Sequence, residues 1–532
     1  MCGFAVVIGR SDAEAVVERM IRGLLHRGDV TDPIVSPRRN MAMCTRRLRI
    51  VDADRAIQPQ TSFDGAIAVS FNGELYNHQE LRRELAALGI PFRTESDTEV
   101  LANALQMWGQ GALERISGMY AFVAIDVAAG EFLAARDPFG VKPLYLIQNE
   151  EGLCFCSEIR PLLEAVESGE VMLLPPGYLL SSTECGRFKS PIRTTEMTVT
   201  QNCARTLDRL LSEAIRVRLP PDLPVATMFS GGIDSTLVAH YTRQFCPGSP
   251  GYFVGDVGGP DYRYASEYAD RTGFDLRRIA FDADSDDVFS QIDRAVEVSE
   301  SFEPNLIRGA VCSLAVAERM HRDGFRVALC GEGADELFCG YPPLEIAFHE
   351  GNAEGALFRD QCLDLMHRVS LQRVDRCSMR FQLETREPFL DASVVNYAMS
   401  LDASALVREV DGLPRGKAAL RDIFDLYPND LPASIRDRTK VPIGEGAGIH
   451  VSPQDSAWKT RFNEAITDSE LCDGQKEFDA FNIRSKEELF YLRKLAQVID
   501  ISRVPHLHGR AWISFPMDRY REQLAQYSHH ML

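Results

Sequence analysis

Short apolar runs alternate with polar turns over the first 190 residues, and the character of the chain changes after about residue 200. Residues 66–71 form a run of strand length, and Asn72-Gly73 behind it predicts a turn. Residues 120–126 and 131–135 predict a hairpin around Ala129-Gly130. Residues 77–88 carry Leu81, Leu85 and Leu88 at helical spacing, which predicts an amphipathic helix with all three on one face. Sheets with helices packed outside them follow from this layering.

Residues 175–200 are rich in turn formers, Ser and Thr, and place a domain boundary near their end. A helix is predicted over 203–218, then a proline-rich turn to Pro224. Residues 225–229 predict a buried strand that runs into Ser230-Gly231-Gly232-Ile233-Asp234-Ser235 and an apolar helix. A second strand over 325–329 runs into Cys330-Gly331-Glu332-Gly333-Ala334-Asp335-Glu336. Strand, glycine turn and helix is the pattern of an open parallel α/β sheet, which binds ligands at the carboxyl ends of its strands. From residue 356 onward the pattern is mainly helical.

Length and composition narrow the picture. With 532 residues, two large domains or three ordinary ones are expected, namely 2–190 and 200–532 from the boundary above. Apolar residues at 45% and charged residues at 25% exclude disordered and collagen-like chains. The 58 Lys and Arg against 77 Asp and Glu leave a net charge of −19, which argues against nucleic acid as a partner yet leaves room for a local basic pocket. No run approaches the ~20 apolar residues of a membrane span, so no membrane partner is expected. The start has no basic segment before its apolar stretch and does not read as a signal peptide. The 13 cysteines hold one close pair, Cys154 and Cys156, with no second pair to complete a zinc set. They read as reduced, mostly buried thiols of a cytoplasmic protein, with Cys2 set apart.

The glycines of the 230–235 run let backbone N–H groups approach phosphate oxygens, and the helix start and the Ser hydroxyls add donors. Asp234 suits phosphates only through a bridging cation, which makes it a Mg²⁺ ligand candidate. The bland alternative is a glycine turn with a Ser cap. This run matches the signature of the PP-loop ATP pyrophosphatases. Residues 331–341 resemble the GEGxDExFxGY of asparagine synthetases, Glu384-Thr385-Arg386-Glu387-Pro388-Phe389-Leu390-Asp391 resembles their EARVPFLD, and Lys417-Ala418-Ala419-Leu420-Arg421 their KxxLR. Leu431-Pro432-Ala433-Ser434-Ile435 and Arg438-Thr439-Lys440 continue the match.

At the other end, Cys2-Gly3 resembles the start of a class II glutamine amidotransferase, in which removal of Met1 leaves Cys2 as a nucleophile whose own α-amine, of pKa near ~8, serves as base. Arg47-Leu48-Arg49-Ile50-Val51-Asp52 resembles the family's RLSIVD, Asn72-Gly73-Glu74-Leu75-Tyr76-Asn77 its NGEIYN, and Ser96-Asp97-Thr98-Glu99 its SDxE. The runs around Asp137 and Glu158 extend the resemblance, which covers residues 2 to about 495 in family order.

The resemblance implies an amino-terminal Ntn-hydrolase-type sandwich and a carboxyl-terminal parallel-sheet PP-loop domain with a helical end. It implies a glutamine-dependent ligase that converts a carboxylic acid, aspartate first among them, to its amide through an adenylate. Asn72 and Gly73 take the oxyanion role, and Arg47, Leu48, Arg49, Ile50, Val51, Asn72, Gly73, Glu74 and Asp97 the glutamine site. Met228, Ser230, Gly231, Gly232, Asp234, Ser235, Val254, Cys330 and Gly331 take the ATP site, Asp234 and Asp335 the Mg²⁺, and Glu332 and Lys417 the chemistry at phosphorus and acyl carbon. Glutamine, ATP and the acid are the implied partners, and a homodimer is compatible with them. Three departures stand out. Arg49 replaces the usual Ser, Cys330 precedes the second motif in place of Ser, and residues 303–311 lack the hydroxyl side chains of the family's aspartate pocket. Within 303–311, Glu303 and Arg308 are candidate partners for an acceptor's ammonium and carboxylate. A ligase for a bulkier or less polar acid is the alternative. A cyclising synthetase and a non-catalytic relative are disfavoured by the intact Cys2, Glu332 and 230–235 run.

Overall fold

The computed structural model describes residues 2–190, 201–259, 261–450 and 456–508. The amino-terminal half is built on two six-stranded sheets. The first has the order β10 (Met172–Leu173), β8 (Tyr145–Asn149), β9 (Gly152–Cys156), β1 (Cys2–Ile8), β3 (Met41–Arg47), β2 (Val30–Thr31). The second has the order β12 (Cys185–Arg187), β11 (Tyr178–Ser181), β7 (Phe132–Arg136), β6 (Gly118–Asp126), β5 (Ile67–Leu75), β4 (Gln60–Thr61). Strand period decides the layering. Phe4 and Val6 of β1 meet Val123 and Ile125 of β6 between the sheets. Their neighbours Ala5 and Val7 face outward and are covered by Val16, Val17 and Met20 of helix Ala13–Gly23. Both faces of β1 are therefore buried, which is why its sequence is apolar throughout.

The hairpin of β6 and β7 stands where the periodicity puts it. Two local expectations need correction. Asn72-Gly73 is not a turn: β5 runs straight through it, pairing Asn72 with Ala121 and Gly73 with Tyr120. The glycine is there for room, because a Cβ at Gly73 would lie 2.1 Å from the Met119 carbonyl oxygen. Helix His78–Ala87 buries Leu81 and Leu85, but it ends before Leu88, which is 56% exposed. Ile90 takes the third apolar place, its N–H returning to Leu85 O at 3.1 Å.

The carboxyl-terminal half carries a five-stranded, wholly parallel sheet of order β15 (Leu276–Ile279), β14 (Gly251–Val254), β13 (Val225–Met228), β16 (Val327–Leu329), β17 (Glu384–Arg386). Helices cover both faces: Ala226 and Ala328 point into one apolar cluster, Val225, Val327 and Leu329 into another. The strand at 225 and the strand near 327 lie side by side at the sheet centre, and their carboxyl ends open on one pocket. Past residue 356 the chain is mostly helical, interrupted by β17 and a two-stranded ribbon, Arg408–Val410 with Leu413–Arg415. Residues 191–200, where the sequence puts the domain boundary, lie outside the described residues.

The close approach of β5 and β6 can be tested by substitution. Gly73→Ala should cost about 3 kcal/mol or more through forced separation of two paired backbones. Gly111→Ala, where a Cβ meets open space, should stay within about 0.5 kcal/mol of wild type. Urea unfolding followed by circular dichroism distinguishes them; equal midpoints would show that the strands yield without cost.

Candidate active site

The first site forms where β1, β3 and β5 come together. Cys2 lies opposite Arg47 in the β1–β3 register. The Cys2 backbone N–H donates to Asn72 Oδ1 at 2.9 Å, across 70 residues of sequence. The amide nitrogen of that Asn72 is buried and has no hydrogen-bond partner. A buried donor held without a partner, on a side chain bonded to the Cys2 backbone, is an unusual and costly arrangement, and it suits an incoming oxygen. Burial pushes the Cys2 thiol up from its ordinary value, while a backbone N–H from Leu48 and the Arg47 charge act to lower it.

The flanking residues are anchored from several directions. The Arg47 guanidinium closes on Asp32 with both arms, at 2.8 and 3.1 Å, and donates to Ala53 O at 2.8 Å. Leu48 is buried, Ile50 and Val51 half-buried. Arg49 turns away: its side chain is 40% exposed and pairs with Asp29 at 3.0 Å. Asp97 opens helix Asp97–Trp108 and accepts the Leu75 N–H at 3.0 Å. Burial raises the carboxyls of both Glu74 and Asp97, Arg386 opposing this for Glu74. Glu74 reaches Arg386 at 3.1 Å and thereby ties this site to β17 of the other half.

The second site lies at the carboxyl ends of β13, β14 and β16. Met228, Ser230, Asp234, Ser235, Val254, Cys330, Gly331, Glu332 and Asp335 all line one pocket. The loop after β13 is held by its own hydroxyls: Ser230 N–H donates to Ser235 Oγ at 3.1 Å and Gly232 N–H to Ser230 Oγ at 3.3 Å. Gly231 sits at φ +67° with its backbone against Ala265, and Arg438 donates to its carbonyl at 2.8 Å. That leaves the start of helix Ile233–Phe245 open to the pocket.

Asp234 and Asp335 come from different strand ends and meet at one lysine. Lys417 Nζ lies 2.5 Å from Asp234 Oδ2 and 2.5 Å from Asp335 Oδ1. Lys417 itself is held at φ +60°, a strained conformation of the kind that clusters at functional sites. Lys440 adds a second cation, 2.7 Å from Asp335 Oδ2. Burial pushes Asp335 up, but Lys417 and Lys440 overcome this and hold it at about 2. Asp234 Oδ1 is buried with no hydrogen-bond partner. Two carboxylates, one with an unused oxygen, fit a hard cation that takes its remaining ligands from phosphate and water. Among the described residues no group of three or more His, Cys, Asp or Glu side chains stands ready to hold a metal alone.

Glu332 is paired with Arg373, which also donates to Ser313 Oγ at 2.8 Å, and all three line the pocket. Sequence reasoning passed over Arg373, Ser313 and Asp261 and gave Arg438 and Lys440 no role; Arg373 lies 41 residues from Glu332 in a helix with no glycine or motif to flag it. Residues 303–311 do not line the pocket. Leu306 and Val311 are packed in the core, and Arg308 turns to Asn305 and Glu487. Ser313 and Val316, farther along helix Pro304–Arg322, face the pocket instead.

Between the two sites, Glu387 is buried among Lys142, Arg218, Asp375 and Asp137, and burial pushes its carboxyl up to about 7. All 13 cysteines are free, and most are buried.

Comparison with known proteins places this geometry. A glutamine amidotransferase domain model matches residues 1–173, and an asparagine synthase model matches residues 206–359 and 350–503. The glutamine-hydrolyzing asparagine synthetase of Triphysaria versicolor is 31% identical over 92% of this chain and 85% of its own length. That of Brassica oleracea is 31% identical over 84% and 78%, and the nodule enzyme of Pisum sativum 29% over 93% and 86%. The class is thus a glutamine amidotransferase joined in one chain to an amide-forming synthase. The chain belongs to the asparagine synthase family.

Glu387 generates a pH prediction. Its folded value of about 7 stands above the ordinary 4.5, so its contribution is fully present below pH 4.5 and is lost as pH rises through 7. Glu387→Gln should remove that fall in stability, measured by urea midpoints between pH 5 and 8; parallel profiles for the two proteins would assign the fall to another group.

Proposed function

We propose that this chain is a glutamine-hydrolysing asparagine synthetase, with residues 2–190 as the glutaminase and 200–532 as the synthetase. The observation that carries the reading is that one chain holds both centres: a cysteine bonded through its backbone to an asparagine whose buried amide donor has no partner, and a carboxylate–lysine cluster at parallel strand ends. In this reading removal of Met1 turns the Cys2 nitrogen, 2.9 Å from Asn72 Oδ1, into the α-amine base. The thiol attacks the glutamine amide carbon, and Asn72 Nδ2 and the Gly73 N–H receive the oxyanion. Arg47, Leu48, Arg49, Ile50, Val51, Glu74 and Asp97 hold the amino acid, with Arg47 exchanging Asp32 for the substrate carboxylate. Ammonia leaves, and water hydrolyses the thioester.

In the second centre the adenosine lies along Met228, Val254, Cys330 and Gly331. The phosphates meet the loop of Ser230, Gly231, Gly232 and Ser235, of which Ser230 and Ser235 line that pocket and Gly232 an adjoining one with Lys417. The aspartate side-chain carboxylate attacks the α-phosphorus and pyrophosphate departs; ammonia then displaces AMP. Asp234 and Asp335 would hold Mg²⁺, which when bound neutralises phosphate charge. Lys417, and with it Lys440, carries positive charge to the leaving phosphates, and Glu332 serves the acyl centre. The polar set Glu332, Arg373 and Ser313 suits an acid bearing an ammonium and a second carboxylate, which supports aspartate. The apolar residues at 306 and 311 weighed against it in the sequence, but they belong to the core. The buried free thiols accord with a cytoplasmic enzyme, and among the described residues no helix is long and apolar enough to cross a membrane.

Two mirror-image variants test the reading. Cys2→Ala should abolish glutamine-dependent asparagine formation and keep the ammonia-dependent reaction, whereas Glu332→Ala should lose synthesis from either nitrogen source by about 10²-fold and keep glutaminase. Equal loss of both activities in either variant would refute two separate centres. For the metal, Asp234→Asn should weaken Mg²⁺-dependent ATP binding about tenfold in calorimetry without acceptor. Unchanged Mg²⁺ dependence would make Asp234 a helix-start residue only.

A further inference from the structure

One short helix touches both centres. Helix Ser370–Met379 carries Arg373, Asp375 and Arg376, and all three are buried. At about 100° per residue, Arg373 and Asp375 project about 200° apart, onto opposite sides of the helix. Arg373 holds Glu332 and Ser313 in the synthetase pocket. Asp375 holds Arg27, at 2.9 and 3.1 Å, and lies 3.7 Å from Lys142. Arg27 Nε in turn donates to the carbonyl oxygen of Cys2 at 3.0 Å. Arg376 joins Glu158 and Glu300, each at 2.8 Å, and Glu158 is also bound to Arg27 at 2.8 Å.

These contacts form one connected set. Arg27, Lys142 and Arg376 face Glu158, Glu300 and Asp375, all mostly buried, with His26 also on Glu158 at 3.0 Å and Glu387 also facing Lys142. Lys142 Nζ makes no hydrogen bond and is balanced by Asp375 at 3.7 Å, together with Glu387. Arg27 also explains the residue after the nucleophile: a Cβ at Gly3 would lie 2.8 Å from Arg27 Cδ. Cys2 is therefore held through its carbonyl by an arginine whose own position is fixed jointly by Glu158 of its own half and Asp375 of the other.

We propose that Asp375 is a positioning residue for the Cys2 nucleophile, acting through Arg27, and that its helix makes occupancy of the Glu332 pocket felt at the thiol. The proposal rests on the two-centre reading above. An acceptor that draws Arg373 off Glu332 shifts the helix at one side, and the Asp375–Arg27 clamp moves with it at the other. Buried charge pairs of this kind tolerate few arrangements, because a pair pulled apart leaves its members without water or partner.

The test is Asp375→Asn, which keeps shape and removes charge. Glutaminase kcat should fall about tenfold or more with KM for glutamine within about twofold, and ammonia-dependent synthesis should be retained. Iodoacetamide labelling of Cys2, read on its peptide by mass spectrometry, should change about threefold when wild type receives saturating Mg²⁺, ATP and aspartate, and should not respond in the variant. Labelling needs no glutamine turnover, so it still reads the coupling if the glutaminase assignment fails. Asp375→Glu should recover much of the activity. Lys142→Met with Asp375→Asn restores neutrality and should restore the thermal midpoint while leaving glutaminase low. Wild-type kcat in Asp375→Asn, a labelling response that survives it, or full glutaminase recovery in the double variant would each overturn the proposal, the last by reducing Asp375 to charge balance.

Discussion

Buried carboxylates organise this molecule, and at both centres several of them are met by cations brought from elsewhere in the chain. Glu74 is met by Arg386, Asp375 by Arg27, Glu300 by Arg376, Asp234 and Asp335 by Lys417. The separations along the sequence run from tens to hundreds of residues: Arg27 and Asp375 are 348 apart. In water such pairs contribute little. Out of water an unmet partner is strongly unfavourable, so the pairs fix geometry even where they add little net stability.

This constraint acts differently at the two centres. Around Cys2 the charges act through the backbone and hold the start of β1 in place, while Asn72, bonded to the Cys2 N–H, keeps an unfilled donor. At the strand ends the charges line the pocket itself. Lys417 bridges two carboxylates there, and Lys440 leans on one of them from a segment whose Arg438 grips the Gly231 carbonyl. The first arrangement is a mounting and the second a set of exchangeable partners, as suits a nucleophile that must stay still and phosphates that must arrive and leave.

Much of this was legible beforehand, for identifiable reasons. The parallel sheet followed from strand–glycine–helix runs at 225 and 325, and the pocket from what parallel sheets do at their carboxyl ends. Asp234, Asp335, Glu332 and Lys417 stood in runs that became distinctive only together, in order along the chain, and the structure brings Asp234, Asp335 and Lys417 to one cluster and Glu332 to the pocket they border. Asn72-Gly73 misled because the pair that favours a turn also suits a strand pressed against its neighbour, and only the distance to Met119 O separates the two. Leu88 misled because periodicity does not say where a helix stops. Residues 303–311 misled because the pocket is reached farther along the same helix, at Ser313 and Val316, one turn past Gly309, which packs against the pocket's Arg373. Arg373, Arg27 and Asp375 carry no local signal at all; their meaning is a contact between distant segments.

The shared charge set also bears on how such a chain can be altered over generations. A glutaminase half taken from a relative would arrive with its own complement at positions 27, 142 and 158, facing whatever stands at 300, 375 and 376. Any mismatch would leave an ion stranded in a dry seam. An exchange of one half therefore needs answering substitutions in the other, and substitutions on one side of the seam should be found paired with compensating ones across it.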